Sequence, residues 1–209
     1  RLGSAAPADF ATQRLVQLAA NELGLTHAPR IGMISARVSP MGWCLGRPCL
    51  LLPTELWSQL DDVGRRAVVL HELAHLRRRD HWVRRMETLV GAAYWWHPLV
   101  WCIRSRLNEE ADLCCDQWVT SLLPAGRATY ARALLETKKF VGAGPGELPV
   151  AAIGAVSGRF TQFSRRLTMI MTDTHTPRRS MGGLVLVMGL MISGWLATPA
   201  LSGDTPPTP

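Results

Sequence analysis

Apolar residues recur at helical spacing over residues 10–23, with Leu15, Leu18 and Ala19 on one stripe, and Gly24 closes that helix. Residues 31–38 and 49–52 are β-rich and predict two strands, forming a hairpin across a loop that holds Pro40, Gly42 and Gly46. A short helix is expected over 54–59 with Thr54 as its cap, and Asp61 or Asp62 caps the helix that follows. Residues 88–103 are apolar but interrupted by His97-Pro98. A proline disrupts or starts a helix, so this segment predicts two helices meeting at a turn, with Pro98 near the start of the second. Further helices are expected over 130–139 and, basic and amphipathic, over 159–171, with a Gly/Pro loop at 141–149 between them. Residues 180–203 carry no charge and exceed the roughly 20 residues a spanning helix needs. Residues 204–209 read as a linker, and no internal repeat is present. The expected fold is mainly α with a small β-hairpin or sheet. One domain covers 1–178, and a transmembrane helix covers 180–203.

Charge adds an orientation. The net charge is +7, concentrated in short runs such as Arg77-Arg78-Arg79, Arg84-Arg85, Arg165-Arg166 and Arg178-Arg179. No aromatic-basic platform or helix-turn-helix pattern accompanies them, so direct nucleic-acid binding is not expected. Basic clusters beside apolar segments suit an anionic cytoplasmic leaflet. Four of these arginines precede the 180–203 segment and no Lys or Arg follows it, which places the preceding domain inside and the C-terminus outside. Tyr94, Trp95, Trp96 and Trp101 make 88–103 a second membrane-associated candidate, interfacial or re-entrant, with burial inside the protein as the competing placement. The chain opens at Arg1 without a methionine or a signal peptide, as expected of a fragment.

The chemistry concentrates at His71-Glu72-Leu73-Ala74-His75, preceded by the apolar stretch Ala67-Val68-Val69-Leu70. Residues four apart share a helical face, so His71 and His75 can present two imidazoles to one ion, with Glu72 beside them as a general base. A catalytic zinc usually takes a third protein ligand and keeps one open position. Glu109, Asp112 and Asp116 lie on one face of a later helix in apolar surroundings. One of them can ligate, and another can orient a histidine. His81 and His97 fall outside the ligand set: His81 is beyond the turn, and His97 precedes a proline in an aromatic cluster, as a hydrogen-bonded core histidine.

With these pieces in place, the chain resembles the BlaR/MecR-type bacterial membrane zinc metallopeptidases. The matching residues are Gly46-Arg47-Pro48-Cys49-Leu50-Leu51-Leu52-Pro53, the HELAH motif with Arg79-Asp80, Trp95-Trp96-His97-Pro98-Leu99-Val100-Trp101, and Cys115-Asp116, over roughly residues 40–170. The resemblance implies a zincin-type domain with one Zn2+ held by His71, His75 and the residue at the family's Glu position. That residue is Asp112 here, one methylene shorter, with Glu109 one turn earlier as the substitute. It also implies Asp80 as a supporting residue, while Asp116 is in helical phase for the same role. The implied activity is hydrolysis of a cytoplasmic protein, such as a transcriptional repressor, by a multi-pass protein of the bacterial inner membrane whose zinc domain is cytoplasmic. Signal transduction in antibiotic resistance follows from the family alone. A housekeeping protease of the prenyl-protein or stress type, and a non-catalytic membrane adaptor, remain as alternatives. The five cysteines form no zinc-finger pattern, and Cys44 and Cys49 are expected as buried free thiols.

Overall fold

Strand pairing departs from the expected hairpin, and the departure brings a strand to the site. The computed structural model describes residues 6–44, 46–142 and 153–172. A four-stranded sheet runs in the order β1-β2-β4-β3, with β1 at Ala6–Pro7, β2 at Arg30–Ile34, β3 at Met41–Trp43 and β4 at Cys49–Pro53. β2 and β4 are parallel neighbours, Ile31 facing Leu50. The hairpin is β3–β4, antiparallel, with Trp43 opposite Cys49. A strand buried on both faces reads as a continuous apolar run. Leu50, Leu51 and Leu52 are such a run, all buried, which marks β4 as the strand between two neighbours. The long connection after β2 carries the chain across the sheet and supplies β3 on the way.

Helix α1, Phe10–Glu22, is capped by Asp9, which accepts from the Thr12 amide at 3.2 Å. Its buried face is Thr12, Val16, Ala19 and Ala20; Leu18 is 53% exposed, so the core stripe is rotated from the expected one. Thr12 sets that rotation, because its hydroxyl accepts from Trp57 Nε1 at 3.1 Å inside the core. Gly24 closes the helix at φ 63°, where a side chain is strained. Helix α2, Thr54–Gln59, has Pro53 and not Thr54 at its cap; the Thr54 hydroxyl instead donates to the Ile34 carbonyl of β2.

Helix α3, Asp62–Arg78, carries the HELAH motif through the middle of the molecule, and Asp61 caps it through the Gly64 amide at 2.7 Å. Ala67, Val69, Leu70 and Leu73 are fully buried. The helix contacts α1 and β3, and also the later helices α5, Pro98–Leu122, and α6, Arg127–Gly142. It ends at Arg79, the only non-glycine residue with positive φ among the described residues. Helix α4, Asp80–Ala93, starts at the next residue. A turn then leads to Pro98 at the start of α5, as the proline signal predicted. His97 caps α5 through the Leu99 amide but is exposed and not in the core. The last described helix is α7, Ile153–Met171; α6 runs longer than the 130–139 expected, to Gly142.

The α4–α5 turn is not buried inside the protein. Leu89, Trp95, Trp96 and Trp101 are each more than 60% exposed, and Tyr94 is 53% exposed. Among the described residues no helix is long and apolar enough to cross a membrane. The expected 180–203 span, the 204–209 linker, Arg178 and Arg179 lie outside the described residues, as does most of the 141–149 loop.

Candidate metal centre

His71 and His75 project from one face of α3, their rings 4.9 Å apart and nearly perpendicular. Each presents its Nδ1 to a carboxylate. His75 Nδ1 lies 2.7 Å from Asp80 Oδ2, and His71 Nδ1 lies 3.1 Å from Asp116 Oδ1 and 2.9 Å from the Tyr130 hydroxyl. A carboxylate at Nδ1 fixes that nitrogen as the proton donor and leaves Nε2 as a lone-pair donor, the arrangement that supports histidine ligands of a metal. On the Nε2 side, Asp112 Oδ1 stands 3.5 Å from His75 Nε2. Two donors about 2.0–2.1 Å from a tetrahedral zinc are roughly 3.3 Å from each other, so this spacing suits a shared ion. Donor atoms of His71, His75 and Asp112 all lie within 4.8 Å of one another. His75, Asp80 and Cys115 form a second such group. Asp80 and Cys115 Sγ, at 2.7 and 3.4 Å, meet the same His75 nitrogen, so that group surrounds one proton and not an ion.

The local sequence explains each placement. Asp80 reaches back to His75 because Arg79, left-handed at φ 61°, turns the chain sharply between α3 and α4. Asp112 and Asp116 are one turn apart on α5 and share a face, as their phase predicts; both bond Arg166 of α7. Glu109 shares that face but is engaged elsewhere: it accepts from Arg165 at 2.8 Å and from Arg106 at 3.3 Å. Arg165 and Arg166 were expected as charges flanking a membrane span. Arg166 instead turns inward, its side chain 13% exposed, and binds Asp116 at 2.7 and 2.9 Å and Asp112 at 2.9 Å. The run reads as membrane-flanking charge because its acidic partners lie some fifty residues earlier in the chain.

Burial and pairing set the charges. Burial alone would raise the Asp116 carboxyl, but His71 and Arg166 hold it well below the usual carboxylate range. Burial works against a charged His75, yet Asp112, Asp80 and Cys115 push its pKa up to about 12. Burial raises the Tyr130 hydroxyl, which therefore stays protonated and donates to Asp116 Oδ1. Burial also raises the Glu72 carboxyl, with His71 and His75 acting the other way. Glu72 opens onto a cavity of about 430 Å³ that His71, His75, Asp112 and Arg84 also line. Met41 and Gly42 of β3, the sheet's edge strand, form one wall. A Cβ on Gly42 would meet the Leu76 Cδ1 methyl at 2.9 Å, so a larger residue there would push that side chain aside.

Tyr130 and Arg166 are the residues of this centre that sequence reasoning missed. Tyr130 was expected only as the first residue of a helix, and nothing in its neighbours marks it. His81 is half-buried and outside the donor cluster. All five cysteines are free; Cys44 and Cys49 are half-buried, not buried, and burial raises both thiols.

A protein-family model described as BlaR1 peptidase M56 matches residues 4–170. The chain is similar to the regulatory protein BlaR1 of Bacillus licheniformis, 28% identical over 169 residues that cover 78% of this chain and 27% of that protein. It is also similar to the methicillin resistance mecR1 protein of Staphylococcus aureus, 22% identical over 85 residues covering 41% of this chain and 14% of that protein. The mecR1 protein of Staphylococcus epidermidis matches to the same extent. The chain thus spans about a quarter of the first relative and a smaller share of the others.

Proposed function

The chain belongs to the BlaR1 peptidase M56 family, and from that premise we propose that it is the catalytic part of a membrane-attached zinc endopeptidase that cleaves a protein in regulatory signalling. One observation carries the proposal. Two histidines of an HExxH helix have Nδ1 held by acids, and a carboxylate stands 3.5 Å from the free nitrogen of one. His71, His75 and Asp112 would hold zinc. When bound, zinc supplies Lewis acidity: it lowers the pKa of water and polarises a carbonyl.

The protein's own residues do the rest. Glu72, whose carboxyl burial makes more basic, accepts a proton from the attacking water and passes it to the departing amine. Asp80 and Asp116 keep both imidazoles oriented. The free edge of β3 lies along the cavity, so an extended peptide can add to it as a further strand. A cytoplasmic repressor is the substrate class that the family resemblance favours, and the relatives' printed names, regulatory and methicillin resistance, agree with a signalling role.

Membrane attachment has its own support. The aromatic turn between α4 and α5 exposes Trp95, Trp96 and Trp101 together, a surface that suits the interfacial layer of a bilayer. The uncharged 180–203 segment would then span the membrane, with the zinc site on the cytoplasmic side. The test of function is Glu72→Gln. The variant is expected to keep zinc and lose cleavage of itself or of a candidate repressor. Full cleavage by the variant overturns the proposal, and loss of zinc along with activity would make Glu72 structural.

A further inference from the structure

We propose that Arg166 is a positioning residue of the metal centre: it occupies Asp112 Oδ2, so that Oδ1 alone faces His75, and it braces Asp116 against His71. The inference rests on the zinc reading above and extends it to a residue of α7 that no ligand motif contains.

The geometry is specific to arginine. Nε and Nη2 of Arg166 donate to the two oxygens of Asp116 at 2.7 and 2.9 Å, and Nη1 donates to Asp112 Oδ2 at 2.9 Å. Three donors of one planar fork thus tie together two carboxylates a turn apart on α5. A lysine ammonium is a point charge on a flexible stem and cannot hold both in register. The consequence for Asp112 is directional. Its Oδ1 lies 3.5 Å from His75 Nε2, while Oδ2 is engaged with Arg166. A carboxylate with both oxygens free can grip an ion with both, and that takes the position a hydrolase keeps open for water. The shorter reach of an aspartate makes its orientation matter more.

Arg166 also adds a positive charge near a cation site, which by itself would weaken metal binding. The buried carboxylates decide the balance. The Asp116 side chain is fully buried and that of Asp112 is 33% exposed, and Arg166 is the cation bonded to both. Without the guanidinium, Asp116 becomes a buried charge that has lost its strongest partner, a strongly unfavourable state. It then relaxes away from His71, and the contact that orients that imidazole is lost with it. Loss of orientation therefore outweighs relief of repulsion.

The test is zinc affinity of the full chain, measured by competition with a chromophoric chelator. Arg166→Met should weaken zinc roughly 10–100-fold, the range seen when residues supporting a ligand are removed. Arg166→Lys should recover only part of it. Arg166→Met should cost less in an Asp112→Asn background, because one of the two carboxylates it acts on is already changed. Wild-type affinity in Arg166→Met, or an equal loss in both backgrounds, overturns the proposal. Circular dichroism and melting report folding; if Arg166→Met does not fold, Arg166→Lys decides, and wild-type affinity there overturns the proposal. Asp112→Ala separates the two levels. If it loses zinc while the Arg166 variants do not, only this inference fails. If it binds as wild type, the zinc reading itself fails.

Discussion

Replacing Tyr130 with phenylalanine removes one oxygen from the least exposed part of the centre. Tyr130 is 1% exposed, so the ring is retained in place and no cavity larger than a hydroxyl opens. What is lost is a hydrogen bond to a charged acceptor, Asp116 Oδ1, and a neighbour 2.9 Å from His71 Nδ1. Hydrogen bonds to charged groups contribute about 1.5–3 kcal/mol. Asp116 keeps Arg166 on both oxygens and His71 at 3.1 Å, so the lower end applies, about 1.5–2 kcal/mol. For a chain of this size that corresponds to a drop in Tm of roughly 3–8 °C. The assay is thermal melting of wild type and Tyr130→Phe with metal removed by chelation. Acid gives a second check. Asp116 titrates below its ordinary value in the fold, so its contribution is present above the unfolded pKa of about 3.9 and is lost as pH falls through the lower, folded value. The gap between the two proteins should hold at pH 7 and shrink in acid below about pH 4. Identical melting at pH 7 would refute the hydrogen-bond account, and a loss above about 4 kcal/mol would show that the hydroxyl holds the whole buried network together and not a single bond.

Two further outcomes are expected. Asp112→Ala should lose zinc strongly, Asp112→Glu should retain it, and Glu109→Ala should bind normally because Glu109 already serves Arg165 and Arg106; the reverse pattern in a zinc titration would make Glu109 the ligand. In the metal-free chain the His75 pKa is pushed up to about 12, so zinc must displace a proton. Apparent affinity should fall about tenfold for each pH unit lowered, with proton release visible in weak buffer, and binding without proton release would contradict the assignment.

What the sequence made legible was local. His71 and His75 lie one turn apart, as do Asp112 and Asp116, so helical phase alone puts each pair on one face, with Glu72 beside the first. Pro98 and Asp61 marked helix starts through rules confined to a few residues. What it hid was long-range. Arg166 binds carboxylates fifty and fifty-four residues away, and a run of arginines looks the same whether it faces water or a buried acid. Tyr130 joins His71 across fifty-nine residues. β3 has three residues with no apolar alternation, and it is a strand only because β4 offers it an edge. Leu18 was misplaced because the polar Thr12 takes a core position through Trp57.

The left-handed Arg79 also fixes an order of assembly. Because α4 begins at the very next residue, Asp80 meets His75 only five positions away in the chain, and that pair forms as soon as the corner does. His71 meets Asp116 across forty-five positions and must wait for α5 to return. Loop-closure entropy grows with the logarithm of length, so the longer contact carries about 2 kcal/mol more. A chain still folding thus holds one imidazole aligned and the other free. The last event to complete this donor cluster is the return of α5, not the formation of the helix that bears the motif.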